Sequence, residues 1–125
     1  MPEFSIIIPV YNRPDEVADL LDSLEKQTVR NFEVVLVEDG STVPCRQQAD
    51  KALDRGLDVK YFAKDNEGRS IARNYGMERA SGSYFVFFDS DCVIPPSYFE
   101  TLARALSATP LDCFGGPDAA HESFS

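Results

Sequence analysis

Residues 84–91 read Tyr-Phe-Val-Phe-Phe-Asp-Ser-Asp, an apolar run that is followed at once by two carboxylates. The run 84–88 predicts a buried β-strand, because a strand that is covered on both faces carries apolar side chains without alternation. Burying a charge is costly unless it is paired or bound to a metal. We therefore predict that Asp89 and Asp91 leave the apolar layer at the end of the strand. There they would face the crevice where open α/β sheets bind ligands, and their oxygens would suit Mg²⁺ or Mn²⁺.

Apolar runs and helical patterns alternate along the rest of the chain. Strands are predicted at residues 4–8, 32–37, 59–62, 84–88 and, as a short fifth strand, 113–116, with helices at about 12–28, 45–55, 70–80 and after residue 97. Strands that alternate with helices imply right-handed βαβ units and a parallel sheet with helices on both faces. We therefore expect a three-layer α/β domain of Rossmann-like architecture with a parallel sheet.

Three local signals refine these boundaries. Pro9 should end the first strand, because proline cannot donate to a central ladder. Asn12 is a candidate cap for the helix that follows. Ala72, Gly76 and Ala80 form a stripe of small residues at a spacing of four, which allows another element to approach that helix closely.

Composition excludes several classes of function. The 125 residues carry a net charge of −9, which repels nucleic-acid backbones and anionic membranes, so we expect no nucleic-acid partner. Cys45, Cys92 and Cys113 match no zinc pattern and are interpreted as free thiols in a reducing compartment. Neither a signal peptide nor an apolar run of membrane-spanning length is recognised. We expect a cytoplasmic location, with any membrane association made through parts that are absent from this chain.

Polar residues gather directly after three of the predicted strands. They are Tyr11-Asn12-Arg13 after the first, Glu38-Asp39 after the second and Asp89-Ser90-Asp91 after the fourth. Because the carboxyl ends of parallel strands share one edge, these groups should converge there. The alternative is ordinary turn chemistry, since Asp and Asn are common where strands end. Neither a P-loop nor a G-x-G-x-x-G pattern is present, and His121 is the single histidine, so a Ser-His-Asp set is not proposed.

Four segments together resemble the start of a family-two glycosyltransferase with the GT-A fold. They are residues 5–12 (SIIIPVYN), 37–41 (VEDGS), 66–76 (NEGRSIARNYG) and 80–91 (ASGSYFVFFDSD). Their order and spacing match the family across nearly all of residues 3–116. Each segment alone is a weak signal, but four in register are specific.

The resemblance implies a nucleotide-sugar donor, often a UDP-sugar, and a divalent cation, Mn²⁺ or Mg²⁺. Asp39 would accept a hydrogen bond from the base, and the loop 66–69 with Arg73 would close over the base side. Asp89 and Asp91 correspond to the D-x-D motif of the family. The residues implied in nucleotide binding are Pro9, Val10, Tyr11, Glu38, Asp39, Asn66, Gly68, Arg69, Arg73, Asp89 and Ser90, and those implied in metal binding are Asp89 and Asp91.

The chain departs from the family after the D-x-D motif. The catalytic base and the acceptor-binding half normally lie well beyond it, and the late acids Asp118 and Glu122 are not recognisable as a base. We therefore expect residues 1–125 to be the donor-binding half of a metal-dependent, inverting transferase. Its acceptor is a saccharide, lipid or protein that the sequence does not identify. Alone, the chain would transfer sugar poorly or not at all, and apolar surface near Phe114 and Phe124 would favour self-association.

Three other interpretations stay open. A nucleotidyltransferase would need a Gly-rich, basic phosphate loop after the first strand, where this chain has residues 9–12, PVYN. A receiver-type signalling module would need an acidic pair at that place and a lysine after the fifth strand. A non-catalytic nucleotide-binding or interaction domain is compatible with every motif described above.

Overall fold

A four-stranded parallel sheet forms the centre of the molecule, with strand order β3-β2-β1-β4. The computed structural model describes residues 2–108. The strands are β1 (Phe4–Val10), β2 (Phe32–Asp39), β3 (Val59–Lys64) and β4 (Tyr84–Phe87), and the helices are α1 (Pro14–Glu25), α2 (Arg46–Asp54), α3 (Arg69–Arg79) and α4 (Tyr98–Ala108). Each strand is followed by a helix, so the predicted α/β class and the four strands before residue 108 are confirmed.

Helices cover both faces of the sheet. Helix α3 packs on β1 and β2 from one side, over a small core that includes Ile7 and Ala72. The larger core lies on the other face, where Leu20 of α1, Ala49 of α2 and Phe99 of α4 are all buried. The strands therefore read as continuous apolar runs because both of their faces are covered, as parallel sheets require.

Strand β1 continues past the proline that was expected to end it. Ile7 pairs with Phe87, the last residue of β4, and its carbonyl accepts a hydrogen bond from the N–H of Phe88. Pro9 lies two residues further on, so its nitrogen faces the same side, where β4 has already ended. On its other side Pro9 stays in register with Val37 of β2. The missing N–H therefore leaves no gap in the ladder, and the predicted end at Ile8 was wrong by two residues.

Strand β2 also runs further than predicted, to Asp39 rather than Val37. Glu38 and Asp39 are therefore strand residues, and successive side chains of a strand point to opposite faces. Glu38 points toward the α2 layer and Asp39 toward the α3 layer, as their hydrogen bonds show. The two adjacent acids thus form hydrogen bonds on opposite faces of the sheet.

Asn12 does not cap α1. The residue before the helix is Arg13, which makes no side-chain capping bond. Asn12 instead adopts a positive φ of 52° and crosses to the loop after β2, where its Oδ1 accepts hydrogen bonds from the N–H groups of Thr42 (2.7 Å) and Val43 (2.9 Å). The contact with the loop after β2 is favoured over capping α1, because it satisfies two backbone N–H donors at once.

The small-residue stripe does bring α3 close to the sheet. A Cβ added at Gly76 would lie 2.8 Å from Cγ2 of Ile7, so a side chain at this position would collide with β1. Ala72 is fully buried on the same face. Ala80 lies just outside the helix as its C-terminal cap.

Several predictions fall outside the described residues. These are the fifth strand at 113–116, together with Cys113, Phe114, Asp118, His121, Glu122 and Phe124. Cys45 and Cys92 are free thiols, as expected. Among residues 2–108, none of the helices has the length and apolar character that crossing a bilayer would demand.

Candidate functional site

A cleft of about 500 Å³ opens at the carboxyl edge of the sheet, where β1, β2 and β4 end and α3 begins. Pro9, Val10 and Tyr11 line it from the end of β1, and Asp39 lines it from the end of β2. The Tyr11 side chain is 51% exposed, so its ring is available to a ligand. The ends of β1 and β2 thus meet at this cleft as predicted, although Asn12 and Glu38 of the predicted group are not part of its lining.

The loop before α3 closes one side of this cleft. Asn66, Gly68 and Arg69 line it. Asp39 holds the loop, because its carboxylate accepts hydrogen bonds from the N–H of Glu67 (2.9 Å) and the N–H of Gly68 (3.0 Å). Asn66 Nδ2 returns a bond of 2.9 Å to the carbonyl of Asp39. Asp39 is thus fixed in orientation from both directions.

A glycine at position 40 allows this close contact. Gly40 has a φ of +77°, and a Cβ built there would lie 2.6 Å from Cβ of Asn66. Only a residue without a side chain avoids both the strained backbone and the collision. Gly40 therefore leaves the space that the 66–68 loop needs to pack against the end of β2.

Glu38 lies outside the cleft, although it was predicted as a nucleotide-binding residue. Its carboxylate accepts hydrogen bonds from Ser41 Oγ (2.6 Å), from Tyr61 Oη (2.8 Å) and from the N–H of Cys45 at the start of α2. Burial and the Glu38 carboxylate together raise the pKa of both the Tyr61 hydroxyl and the Cys45 thiol. Glu38 therefore organises the loop after β2 rather than the cleft.

Asp89, Ser90 and Asp91, which follow β4, also line the cleft. Phe88 turns into the larger core and is almost completely buried, whereas Asp89 is half-buried and Asp91 is exposed. The N–H of Cys92 donates to the carbonyl of Asp89 at 3.1 Å and so closes a turn around the motif. The two acids leave the apolar layer where the sequence predicts.

Two arginines of α3 face Asp89 rather than Asp39. Arg69 Nη1 lies 3.7 Å from Asp89 Oδ1, and Arg73 Nη2 lies 3.6 Å from the same oxygen. Arg73 also stacks over the ring of Phe87, 5.9 Å from its centroid, and is not part of the cleft lining. The resemblance implied that both arginines lie over the base side, whereas the structure places their guanidinium groups beside Asp89.

Two residues of the cleft were not among the predicted nucleotide-binding residues. They are Arg13, which was expected at this edge only as part of the polar group after β1, and Glu16. Glu16 Oε1 accepts a hydrogen bond from Ser90 Oγ at 3.2 Å and lies 3.4 Å from Arg13 Nε. Acids in a first helical turn are usually explained by the helix dipole, so Glu16 does not stand out in the sequence as a site residue. Its position in the chain could have indicated the site, because α1 begins only four residues after the end of β1.

The carboxylates fit a cation that shares its coordination with a ligand. Within the described range, 2–108, no group of three or more His, Cys, Asp or Glu side chains could by itself hold a metal ion. Mg²⁺ commonly takes one or two protein carboxylates together with substrate phosphates and water. Asp89 and Asp91 can supply the protein share of such a set.

A second, more open depression of about 600 Å³ lies between β3 and α3, lined in part by Lys64, Glu67 and Tyr75. It contains none of the polar residues that follow β1 or β4. We therefore take the cleft at the strand ends as the candidate site.

Known proteins are similar to this chain in sequence and in fold. The model of the family described as glycosyl transferase family 2 matches residues 5–122. Glycosyltransferase GlyA of Streptococcus pneumoniae is 36% identical over 83% of this chain, which spans 15% of that protein. The crystal structure of S. aureus TarS in complex with UDP matches with a TM-score of 0.79 and 32% identity, over 86% of this chain and 32% of the other.

One of the similar structures contains a metal ion. The mannosyltransferase PcManGT of Pyrobaculum calidifontis, solved with GDP-Man and Mn²⁺, matches with a TM-score of 0.75 and 25% identity, over 89% of this chain and 33% of that one. The present chain thus spans a third or less of each of these proteins.

Proposed function

Since the chain belongs to glycosyl transferase family 2, we propose that its cleft binds a nucleotide-diphospho-sugar together with a divalent cation. One observation carries this proposal: Asp39 and the Asp89–Asp91 pair come from different strands, yet both line the same cleft of about 500 Å³. Structures of similar fold were solved with UDP and with GDP-Man and Mn²⁺. The family replaces the nucleotidyltransferase and receiver alternatives.

The base and ribose would lie at the Asp39 end. Asp39 is held by the N–H groups of Glu67 and Gly68 and lies 3.6 Å from Lys64 Nζ, so the orientation of its carboxylate in the cleft lining is fixed. A carboxylate only accepts hydrogen bonds, which suits an N–H of a base such as uracil. Tyr11 offers a half-exposed ring beside it, with Pro9 and Val10 completing the wall. UDP is preferred over GDP in this proposal because the 32% identical TarS was solved with UDP.

The diphosphate would lie at the Asp89–Asp91 end. Both acids would hold the cation there, with Asp91 as the more direct ligand because it is the more exposed. A bound divalent cation would act as a Lewis acid and offset the charge on the departing diphosphate. Ser90, fixed by Glu16, would set the turn between the two acids. Glu38 would act only indirectly, through the loop at Ser41.

We infer that transfer itself inverts the anomeric centre, as is usual in the family. An acceptor oxygen would bond to the anomeric carbon as the bond to the diphosphate breaks, through an oxocarbenium-like transition state, and a carboxylate base would take the acceptor proton. None of the residues 2–108 is assigned as that base. We therefore propose that the complete protein supplies the base and binds the acceptor. The chain alone is expected to bind the donor without efficient turnover. A cytoplasmic location also belongs to the proposal, supported by the free thiols Cys45 and Cys92.

Calorimetric titration tests this function directly. The chain is titrated with UDP, GDP and their sugars, with and without Mn²⁺. We expect UDP to bind more tightly with Mn²⁺, and Asp91→Ala to lower that metal-dependent affinity by about tenfold or more, the range in which even outer-shell ligand partners act. Asp50→Ala is the matched control, because Asp50 is an exposed acid of α2 that pairs only loosely with Arg46, at 3.9 Å. Metal-dependent binding that survives in Asp91→Ala would remove Asp91 from its role.

A further inference from the structure

The Asp89 carboxylate stands between two guanidinium groups of one helix. Arg69 and Arg73 are four residues apart on α3, so they lie on the same face of it. Both approach the same oxygen, Oδ1 of Asp89, at 3.7 and 3.6 Å. The arrangement presents both positive charges to one of the two acids that would bind a cation.

These contacts are charge pairs that lack good hydrogen bonds. Oδ1 of Asp89 and Nε of Arg73 are both buried, and neither has a hydrogen-bond partner among the described residues. Most buried polar atoms in proteins are hydrogen-bonded, so each such atom calls for an explanation. A ligand that supplies acceptors to the arginines and releases Asp89 would satisfy both atoms at once.

The charges near the motif cancel. Arg69 and Arg73 contribute two positive charges, and Asp89 and Asp91 contribute two negative charges. A cation that arrives alone must therefore compete with the arginines for Asp89. A diphosphate changes this balance, because it adds negative charge and offers planar pairs of oxygens that match the guanidinium fork.

Helix α3 holds the arginines in place. Its first turn is tied to β2, because Asp39 accepts the N–H groups of Glu67 and Gly68 immediately before the helix. Gly76 seats its middle directly on Ile7. The arginines therefore project from a fixed support, and their guanidinium groups can turn from Asp89 to a ligand without movement of the helix.

We propose that Arg69 and Arg73 make cation binding at Asp89 and Asp91 conditional on the nucleotide diphosphate. This inference rests on the proposed function, since it assigns an order of preference within the same cleft. A nucleotide diphosphate draws the two guanidinium groups away from Asp89, which then becomes a ligand. The two arginines are positioning residues that prevent the site from filling with metal alone.

Manganese binding tests the proposal without any turnover. Free Mn²⁺ is measured by its electron paramagnetic resonance signal during titration, with and without saturating UDP. In the double variant Arg69→Gln and Arg73→Gln, we expect the affinity for Mn²⁺ alone to rise about tenfold and the tightening caused by UDP to fall by a similar factor, within the usual range of coupling between sites. A gain of affinity is not the result that a folding defect would produce.

The matched control removes the same charge elsewhere. Arg46→Gln and Arg104→Gln together also delete two positive charges, from side chains that are 69% and 74% exposed and pair with Asp50 and Glu100. A rise in nucleotide-free Mn²⁺ affinity that is larger in the α3 variant than in this control supports the proposal. An equal or absent rise overturns it, while metal-dependent UDP binding by the unaltered chain still upholds the proposed function. If the unaltered chain binds no UDP in the presence of Mn²⁺, the proposed function fails, and this inference fails with it.

Discussion

At the scale of single residues, the most constrained acid is Glu33, which lies far from the cleft at the amino end of the sheet. Its side chain is 1% exposed. The carboxylate accepts hydrogen bonds from Ser5 Oγ (2.6 Å) and from the N–H and Oγ of Ser81 (2.6 and 3.0 Å), and it lies 2.7 Å from Lys60 Nζ. A buried charge is tolerated here because its lone pairs are used and a counter-ion is present. This network joins β1, β2 and β3 to the segment before β4.

The Glu33 network should make stability depend on pH. Burial by itself would raise the pKa of Glu33, but the bonds from Lys60, Ser5 and Ser81 outweigh it and lower the pKa from 4.5 to about 2. A lowered folded-state pKa means that the stabilisation is complete above the unfolded value and is lost as pH falls. We therefore expect Glu33→Gln to lower the free energy of unfolding by about 1–3 kcal/mol at pH 7, the cost of an unsatisfied buried partner. Urea denaturation measures this change.

The pH series supplies the check on this explanation. The difference between the unaltered chain and Glu33→Gln should stay constant above about pH 4.5 and shrink between there and about pH 2. Glu78→Gln is the control, because that side chain is 74% exposed and should have almost no effect. A difference between the two proteins that does not change over this range of pH would show that the charge of Glu33 is not the stabilising feature.

Single residues also show how far sequence could predict the candidate site. Asp39, Asp89 and Asp91 lie in the cleft as predicted, because each stands at or just beyond the carboxyl end of a strand, and parallel strands end at one edge. Glu38 was misplaced, although the alternation of a strand puts neighbours on opposite faces and the signal was available. The approach of Arg69 and Arg73 to Asp89 was not predictable, because it depends on where α3 lies against the sheet.

At the scale of elements, α3 shows that a residue of low helix propensity can be required by packing. Replacing glycine by alanine inside a helix usually stabilises it by about 1 kcal/mol. Here the added Cβ would lie 2.8 Å from Ile7 Cγ2 and 3.3 Å from Val37 Cγ2. We expect Gly76→Ala to destabilise the chain by about 1–3 kcal/mol, the usual range for overpacking. Chemical denaturation measures the sign of the change.

Asn74→Ala is the matched control on the same helix. Asn74 is exposed, so its replacement should act through helix propensity alone and stabilise the chain by a few tenths of a kcal/mol, about the size of that scale. If Gly76→Ala stabilised the chain as much as Asn74→Ala does, α3 would not be in the tight contact with β1 that the structure shows.

The elements themselves were largely predictable, and their ends were not. Hydrophobic periodicity identified four strands and four helices because burial sets the pattern in each of them. The ends of β1 and β2 were placed two residues early, since Pro9 and Glu38 look like breakers in sequence. Two features distant along the chain, which carry no local signal, explain this. Strand β4 ends early beside Pro9, and Tyr61 hydrogen-bonds to Glu38.

At the scale of the whole molecule, the sheet that the structure describes ends at β4 on the side of the cleft. The chain spans only part of the length of its relatives. We therefore propose that residues of the complete protein outside this chain act on the acceptor. Self-association near Phe114 and Phe124 concerns residues outside the described range and stays a prediction.

Net charge should govern how the donor reaches the cleft. The chain carries 21 acidic and 12 basic side chains, a net charge of −9. A nucleotide diphosphate is also negative, so the two repel at long range, whereas the arginines beside the cleft attract only at short range. Salt screens the long-range part first, because the screening length falls from about 30 Å at 0.01 M to about 8 Å at 0.15 M.

We expect the association rate of a fluorescent UDP analogue, measured by stopped flow at constant Mn²⁺, to rise about twofold over that range of salt, a modest effect for electrostatic steering. The matching uridine analogue, which is uncharged, should show no change. A rate for the diphosphate that falls as salt is added would mean that Arg13, Arg69 and Arg73 dominate the approach, and that the acidity of the molecule as a whole has no part in donor capture.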